Sequence, residues 1–183
     1  MSYNRRIHLR TYCILGFIFT SALGVLLHFT FDWSKQNRIV AFFSPVNEST
    51  WEHLKLLAFP YLIYSILEYL KIGQIYDNYI IAKALGLLAG MLSIVMLFYT
   101  YTGIIGKGHV IADSVVFFLS VIIAFAVSSL ILNHHLFRAS IFQPIGVIII
   151  LAIVIAFMWF TFFPPKIHLF IDTVTKRYGI AMK

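Results

Sequence analysis

The sequence predicts an all-α fold: an integral membrane bundle of five transmembrane helices with a short amphipathic C-terminal segment, in a single membrane domain over residues 1–183. Three observations predict it. The 183-residue chain is 61% hydrophobic and only 11% charged, whereas a soluble domain carries about 25% charged residues. Its apolar residues fall into five runs of roughly 20, the length needed to cross about 30 Å of hydrocarbon. The net charge of +7 is spread over the ends of those runs and the tails, as membrane flanks are. No basic patch gathers, which excludes nucleic acid as a partner.

The first helix is expected over Tyr12–Phe31, behind Arg5, Arg6 and Arg10. Arginines before an apolar run resemble a secretion signal, but the run exceeds the roughly 7–15 residues of a signal's apolar core and no small-x-small cleavage site follows. A retained helix is the reading. The polar connection from Asp32 to Pro45 should lie along the interface. The second helix, about 50–70, begins within Ser44-Pro45-Val46-Asn47-Glu48-Ser49-Thr50-Trp51-Glu52-His53. Two starts fit. Ser49 and Glu52 make a capping box, or Ser44 caps with Pro45 in the first turn, which would set Glu48 and Glu52 on one face. Pro60 falls inside this helix, and membrane helices tolerate the resulting kink.

The third helix, 80–105, carries Gly86 and Gly90, a small-xxx-small pair suited to close helix contact. Gly106-Lys107-Gly108 turns into the fourth, 109–132, and Asn133-His134-His135 turns out of it. The fifth, 145–163, stops at Pro164-Pro165. Over 166–176, Ile167, Phe170, Ile171 and Val174 follow the i, i+3, i+4, i+7 spacing of an amphipathic helix on a membrane surface. The single cysteine, Cys13, excludes an internal disulfide and reads as a small buried hydrophobe.

Five crossings put the end of the first helix, the starts of the second and fourth, and the tail on one side. That side gathers His28, Asp32, Asn47, Glu48, Glu52, His53, His109, Asp113, His168 and Asp172, and leaves only Glu68 and Asp77 among the carboxylates on the other. The flanks of the first helix favour a cytoplasmic N-terminus, while the basic residues summed over all connections favour the reverse. Three histidines precede an aspartate by four residues, in His28/Asp32, His109/Asp113 and His168/Asp172; on helices each pair shares a face.

Imidazole and carboxylate ligands suit a divalent metal, zinc first, or iron or manganese if more carboxylates join. The expected ligands are His53, His109, Asp113 and His28. Glu48 or Glu52 would act as general base, with Asn47 beside them in the catalytic group. A plainer account competes residue by residue. Ser49 and Glu52 are explained by capping and the helix dipole, Trp51 by interfacial anchoring, and Glu68 by Lys71 three residues on. HExxH, GxSxG, a Walker loop and CxxCH are missing, so zincin, α/β-hydrolase, nucleotide-binding and c-type haem arrangements lack support. A b-type haem between His28 and His109 would sit poorly among aspartates.

The box Pro45-Val46-Asn47-Glu48-Ser49-x-Trp51-Glu52-His53-Leu54-Lys55-Leu56 resembles that of an uncharacterised family of small bacterial multi-pass membrane proteins. Leu169-Phe170-Ile171-Asp172 and Tyr178-Gly179-Ile180 look similar to the same family. The resemblance spans the chain and implies a protein of the bacterial cell membrane, with no activity attached. A looser similarity, in chemistry alone, is to membrane zinc hydrolases of the ceramidase and progestin-receptor type; this chain has too few helices for that fold and lacks their paired histidines on the last helix.

The expected function is a metal-dependent hydrolase or transferase acting on a lipid or lipid-linked substrate. One alternative is a small transporter or channel, for which Pro60, Glu68 and Lys83 would matter. Helix middles holding little more than Ser93 and Ser120 count against a pore. A structural or partner-binding membrane subunit is the other. The bilayer is the one sure partner, and the sequence carries no signal for oligomeric state.

Overall fold

The computed structural model describes the backbone of residues 3–180 and the side chains from residue 8 onward. Five long helices form: α1 (Tyr3–Trp33), α2 (Thr50–Lys71), α3 (Tyr79–Ile105), α4 (Val110–Asn133) and α5 (Phe142–Phe162). Three short 3-10 turns join them, and no strand forms among the described residues beyond one antiparallel bridge, Ile171 to Tyr178. The termini of the helices follow local chemistry. Ser49 caps α2 by accepting the Glu52 N–H. Gly106 closes α3 in the left-handed region (φ 80°), its N–H returned to the Thr102 carbonyl. Pro164-Pro165 follows α5 and cannot continue it.

Helices α1, α3, α4 and α5 are long and apolar enough to cross a membrane. The second helix differs. Its 22 residues span about 33 Å, but it carries Glu52, His53, Lys55 and Glu68 and falls short in apolarity. The reason is position. From Leu54 to Tyr61 every residue of α2 is buried, so the other helices enclose its first half, whereas Ile63, Ile66, Leu67 and Leu70 leave an exposed apolar face on its second half. Pro60 has no N–H for the Leu56 carbonyl, and α1 presses Gly24 against that carbonyl; a Cβ at Gly24 would lie 2.5 Å from the oxygen. Gly86 and Gly90 serve the close contact their spacing predicts: a Cβ on Gly86 would lie 2.6 Å from the Ala124 carbonyl of α4.

Two ion pairs are buried in the bundle. Near one end, Lys55 Nζ sits 2.6 Å from Glu52 Oε2. Near the other, Lys83 pairs with Glu68, whose Oε2 also accepts from the Tyr79 hydroxyl at 3.1 Å. The expected partner of Glu68, Lys71, is exposed instead. Between the pairs lie Leu57, Leu87, Val121 and Ala124, all buried.

The amphipathic helix expected over 166–176 does not form. His168–Phe170 is a single 3-10 turn, after which the chain doubles back through the Ile171–Tyr178 bridge. Phe170 is buried against Trp51 and Phe160, with ring centroids 4.9 and 5.4 Å away. Trp51 is thereby packed in an aromatic cluster with Phe157 rather than anchored at an interface. Asp172 shapes the turn: its carboxylate accepts the N–H groups of Val174 and Thr175 and the Thr175 hydroxyl. Anchoring of one ring to the bundle decides the conformation over the helical spacing.

Candidate metal centre

The polar site is built on the loop before α2. Ser44 fixes where this loop leaves α1. Its hydroxyl accepts the Phe31 N–H at 3.1 Å and donates to the Leu27 carbonyl at 2.6 Å, so the loop is spliced into the α1 ladder beside His28. The start with Ser44 as a helix cap is thus not used. Asn47 accepts the Ser49 N–H on Oδ1 and donates from Nδ2 to the Gly179 carbonyl. It supplies the returning half of the cap that Glu52 was expected to give, and it ties the tail to the loop. Thr173 adds a second tie, with its N–H and hydroxyl on the Glu48 carbonyl.

Glu48 is held on both sides and its carboxylate faces two imidazoles. Oε2 lies 3.3 Å from His53 Nε2 and Oε1 lies 3.9 Å from His28 Nε2. The two rings have centroids 5.3 Å apart. One ligand atom from each of His28, Glu48 and His53 falls within 4.8 Å of the other two. His53 Nδ1 is 2.9 Å from the Ser49 carbonyl oxygen. A carbonyl only accepts, so Nδ1 carries a proton and Nε2 is the nitrogen turned to the site. The hydrogen bond from His53 outweighs burial and holds the Glu48 carboxyl below its usual range.

Zinc takes nitrogen and oxygen donors at about 2.0–2.2 Å, which puts tetrahedral donors about 3.3 Å apart. The His53–Glu48 separation already matches. His28 has to close by roughly an ångström, within reach of one side-chain torsion. Two imidazoles and one carboxylate form a donor set that leaves a fourth position open, as catalytic zinc sites do.

The other expected residues go elsewhere. Glu52 does not face the site: its oxygens meet Lys55 Nζ, the Val46 N–H and the Thr161 hydroxyl, and it is buried. A carboxylate so enclosed cannot reach a substrate, which corrects its expected role as base. His109 stands at the N-cap of α4, exposed, with no side-chain capping bond, and lies outside the three-residue group. Asp113 bonds the Tyr101 hydroxyl, which in turn accepts the His109 N–H at 3.2 Å. None of the three His/Asp pairs closes a side-chain hydrogen bond within itself among the described residues.

Asp113 nonetheless shares the cleft. Two adjoining hollows of about 130 and 380 Å³ have Glu48, His53, Leu56, Asp113 and Phe117 in common. The larger reaches His28 and opens between α1 and α4; the smaller is rimmed by Thr173 of the tail. Sequence reasoning gave Ser44 a different role and missed Tyr101 and Thr173. Only Tyr101 left a usable signal, a polar ring in an apolar helix one short hairpin away from Asp113.

The sequence profile of one protein family matches residues 1–180. The chain belongs to the family of unknown function DUF6512. No curated protein and no solved structure matches it. Membership covers the loop, the cleft helices and the tail alike, so the site lies within the family's common extent.

Proposed function

We propose that this protein is a metal-dependent hydrolase or transferase that works at the membrane on a lipid or lipid-linked substrate. The observation that supports the reading is the convergence of His28, Glu48 and His53 in a cleft between α1, α2 and α4, apart from the two buried ion pairs of the bundle. Ionisable groups are kept inside a membrane domain chiefly where they do chemistry. Bound zinc would lower the pKa of its water towards about 7. Glu48 then belongs among the ligands, and Asp113 across the cleft, oriented by Tyr101, takes the place of general base.

In this reading α2 is a fifth crossing enclosed along its first half by the others, the protein sits in a bacterial cell membrane, and a cytoplasmic N-terminus puts the metal centre on the outer side. The transport alternative is weakened by its own residues. Glu68 and Lys83 neutralise each other, and a buried apolar layer separates them from the cleft. Metal analysis of the purified full-length protein tests the proposal: about one zinc per chain is expected, lost in His28→Ala combined with His53→Ala. An intact protein that binds no divalent metal refutes it.

A further inference from the structure

The cleft has a second property, in the contrast between its two sets of lining residues. One set is polar: Glu48, His53, His28 and Asp113, with the Glu48 side chain itself 48% exposed. The other lines the mouth, between α1 and α4: Val25, Phe29 and Phe118, which are 46%, 47% and 38% exposed. These residues lie on two of the four helices long and apolar enough to cross a membrane, and present an exposed apolar surface between them. Below the mouth the same two helices are closed, since Gly24 of α1 meets Phe117 of α4 at a distance that leaves no room for a Cβ. On the remaining flank the tail crosses the loop at Thr173 and Gly179. An apolar way in therefore runs sideways between α1 and α4, beside the exposed polar end at Glu48.

The charges narrow the ligand further. Among the described residues, no lysine or arginine lines either hollow, whereas Glu48 and Asp113 line both. A phosphate carried on a lipid would meet two carboxylates with the metal as its sole cation. Phosphate recognition ordinarily draws on arginine or lysine; of the helix N-termini here, only the first turns of α2 and α4 reach the hollows, and each brings an acidic or imidazole side chain with it. A neutral carbonyl group, or one beside an amine, suffers no such repulsion.

Resting on the metal-centre reading, we infer that the substrate is an acyl ester or acyl amide with a neutral or cationic polar end, entering from the bilayer between α1 and α4. Its chain lies against Val25, Phe29 and Phe118, and its carbonyl reaches the polar set. A metal held by His28, Glu48 and His53 would polarise the carbonyl and acidify a water; that water's oxygen would add to the carbonyl carbon as Asp113 takes its proton. The C–O or C–N bond then breaks, and that proton passes to the departing alcohol or amine. The products are a fatty acid and an alcohol or amine, with no change of oxidation state.

The test uses full-length protein in phosphatidylcholine nanodiscs holding a trace of photoactivatable monoacylglycerol. Labelling is expected to concentrate on Val25, Phe29 and Phe118 relative to Ile148 and Ile155, exposed apolar residues of α5. Unlabelled monoacylglycerol should displace the probe about tenfold better than lysophosphatidic acid, because like charges oppose the latter. Val25→Trp combined with Ser114→Trp, which fill the mouth and spare the polar set, should abolish the enrichment while zinc binding persists and reports a folded site. Even labelling across α1, α4 and α5, equal displacement by the two lipids, or enrichment that survives the two tryptophans overturns the inference. Zinc titration separates the two claims. Enriched labelling without zinc binding upholds lateral entry and refutes the metal centre; zinc binding with even labelling does the reverse.

Discussion

Lys55→Met tests whether Glu52 is a structural carboxylate or a catalytic one. The Lys55 and Glu52 side chains are 0% and 3% exposed. The ammonium meets Glu52 Oε2 and the Thr161 hydroxyl at 2.6 Å and the Ala41 carbonyl at 2.9 Å. Methionine matches the lysine stem in length and removes only the charge. Glu52 is then left as a buried anion whose remaining partners are the Val46 N–H and Thr161. Breaking a buried pair from one side costs about 3–5 kcal/mol, a large share of the roughly 5–15 kcal/mol that holds a domain together. Removing both charges, in Lys55→Met with Glu52→Gln, should restore most of that loss. Unfolding in detergent, read as a double-mutant cycle, gives the coupling directly. Zinc affinity of Glu52→Gln should stay at the wild-type value, because this carboxylate points away from the centre. A Lys55→Met protein within about 0.5 kcal/mol of wild type, in the range of surface substitutions, would refute the reasoning and return Glu52 to the list of candidate bases.

Acid should loosen the loop in a defined direction. The carboxyl of Glu48 is held below its usual range by the His53 hydrogen bond, so its contribution is fully present above the unfolded value, near 4.3, and is lost as pH falls through the lower folded value. Melting temperature against pH checks this, and Glu48→Gln should remove that part of the acid sensitivity. Asn47→Ala deletes two hydrogen bonds, one to the tail and one to the Ser49 N–H. It should cost about 1–3 kcal/mol and weaken zinc binding by about 10–100-fold through the misplaced Glu48, measured by calorimetry. Thr173→Val breaks the hydroxyl tie to the Glu48 carbonyl and should weaken zinc binding in the same direction by a smaller factor.

Periodicity and punctuation made most of the helical framework legible. Runs of about 20 apolar residues, Gly106, Pro164-Pro165 and the Ser49 cap mark ends within a few residues of those observed, except that α1 begins at Tyr3 and not at Tyr12. Burial was harder to read. The second helix looks like the others in length, yet its first half, with Glu52 and Lys55, is enclosed, and a one-dimensional pattern does not say which stretch the rest will cover. The grouping of His28, Glu48 and His53 was legible in part. His28, Glu48 and His53 were all singled out, but the i, i+4 spacing pointed to histidine–aspartate pairs, whereas the contact that forms is Glu48 with His53, five apart across a helix start. A loop residue obeys no helical period, so spacing is silent about it. Asp113, expected as a ligand, is held by Tyr101 from the neighbouring helix, a tertiary choice that local sequence does not encode.

The central claim is that three residues from α1, the loop and α2 hold one metal ion. X-ray absorption at the zinc edge of the purified protein tests it most directly. The account predicts nitrogen and oxygen donors alone at about 2.0–2.2 Å, with the two-imidazole signature halved in His28→Ala and the site lost in Glu48→Ala combined with His53→Ala. A sulfur donor, an ion with unchanged ligation in those variants, or no bound zinc at all would contradict it.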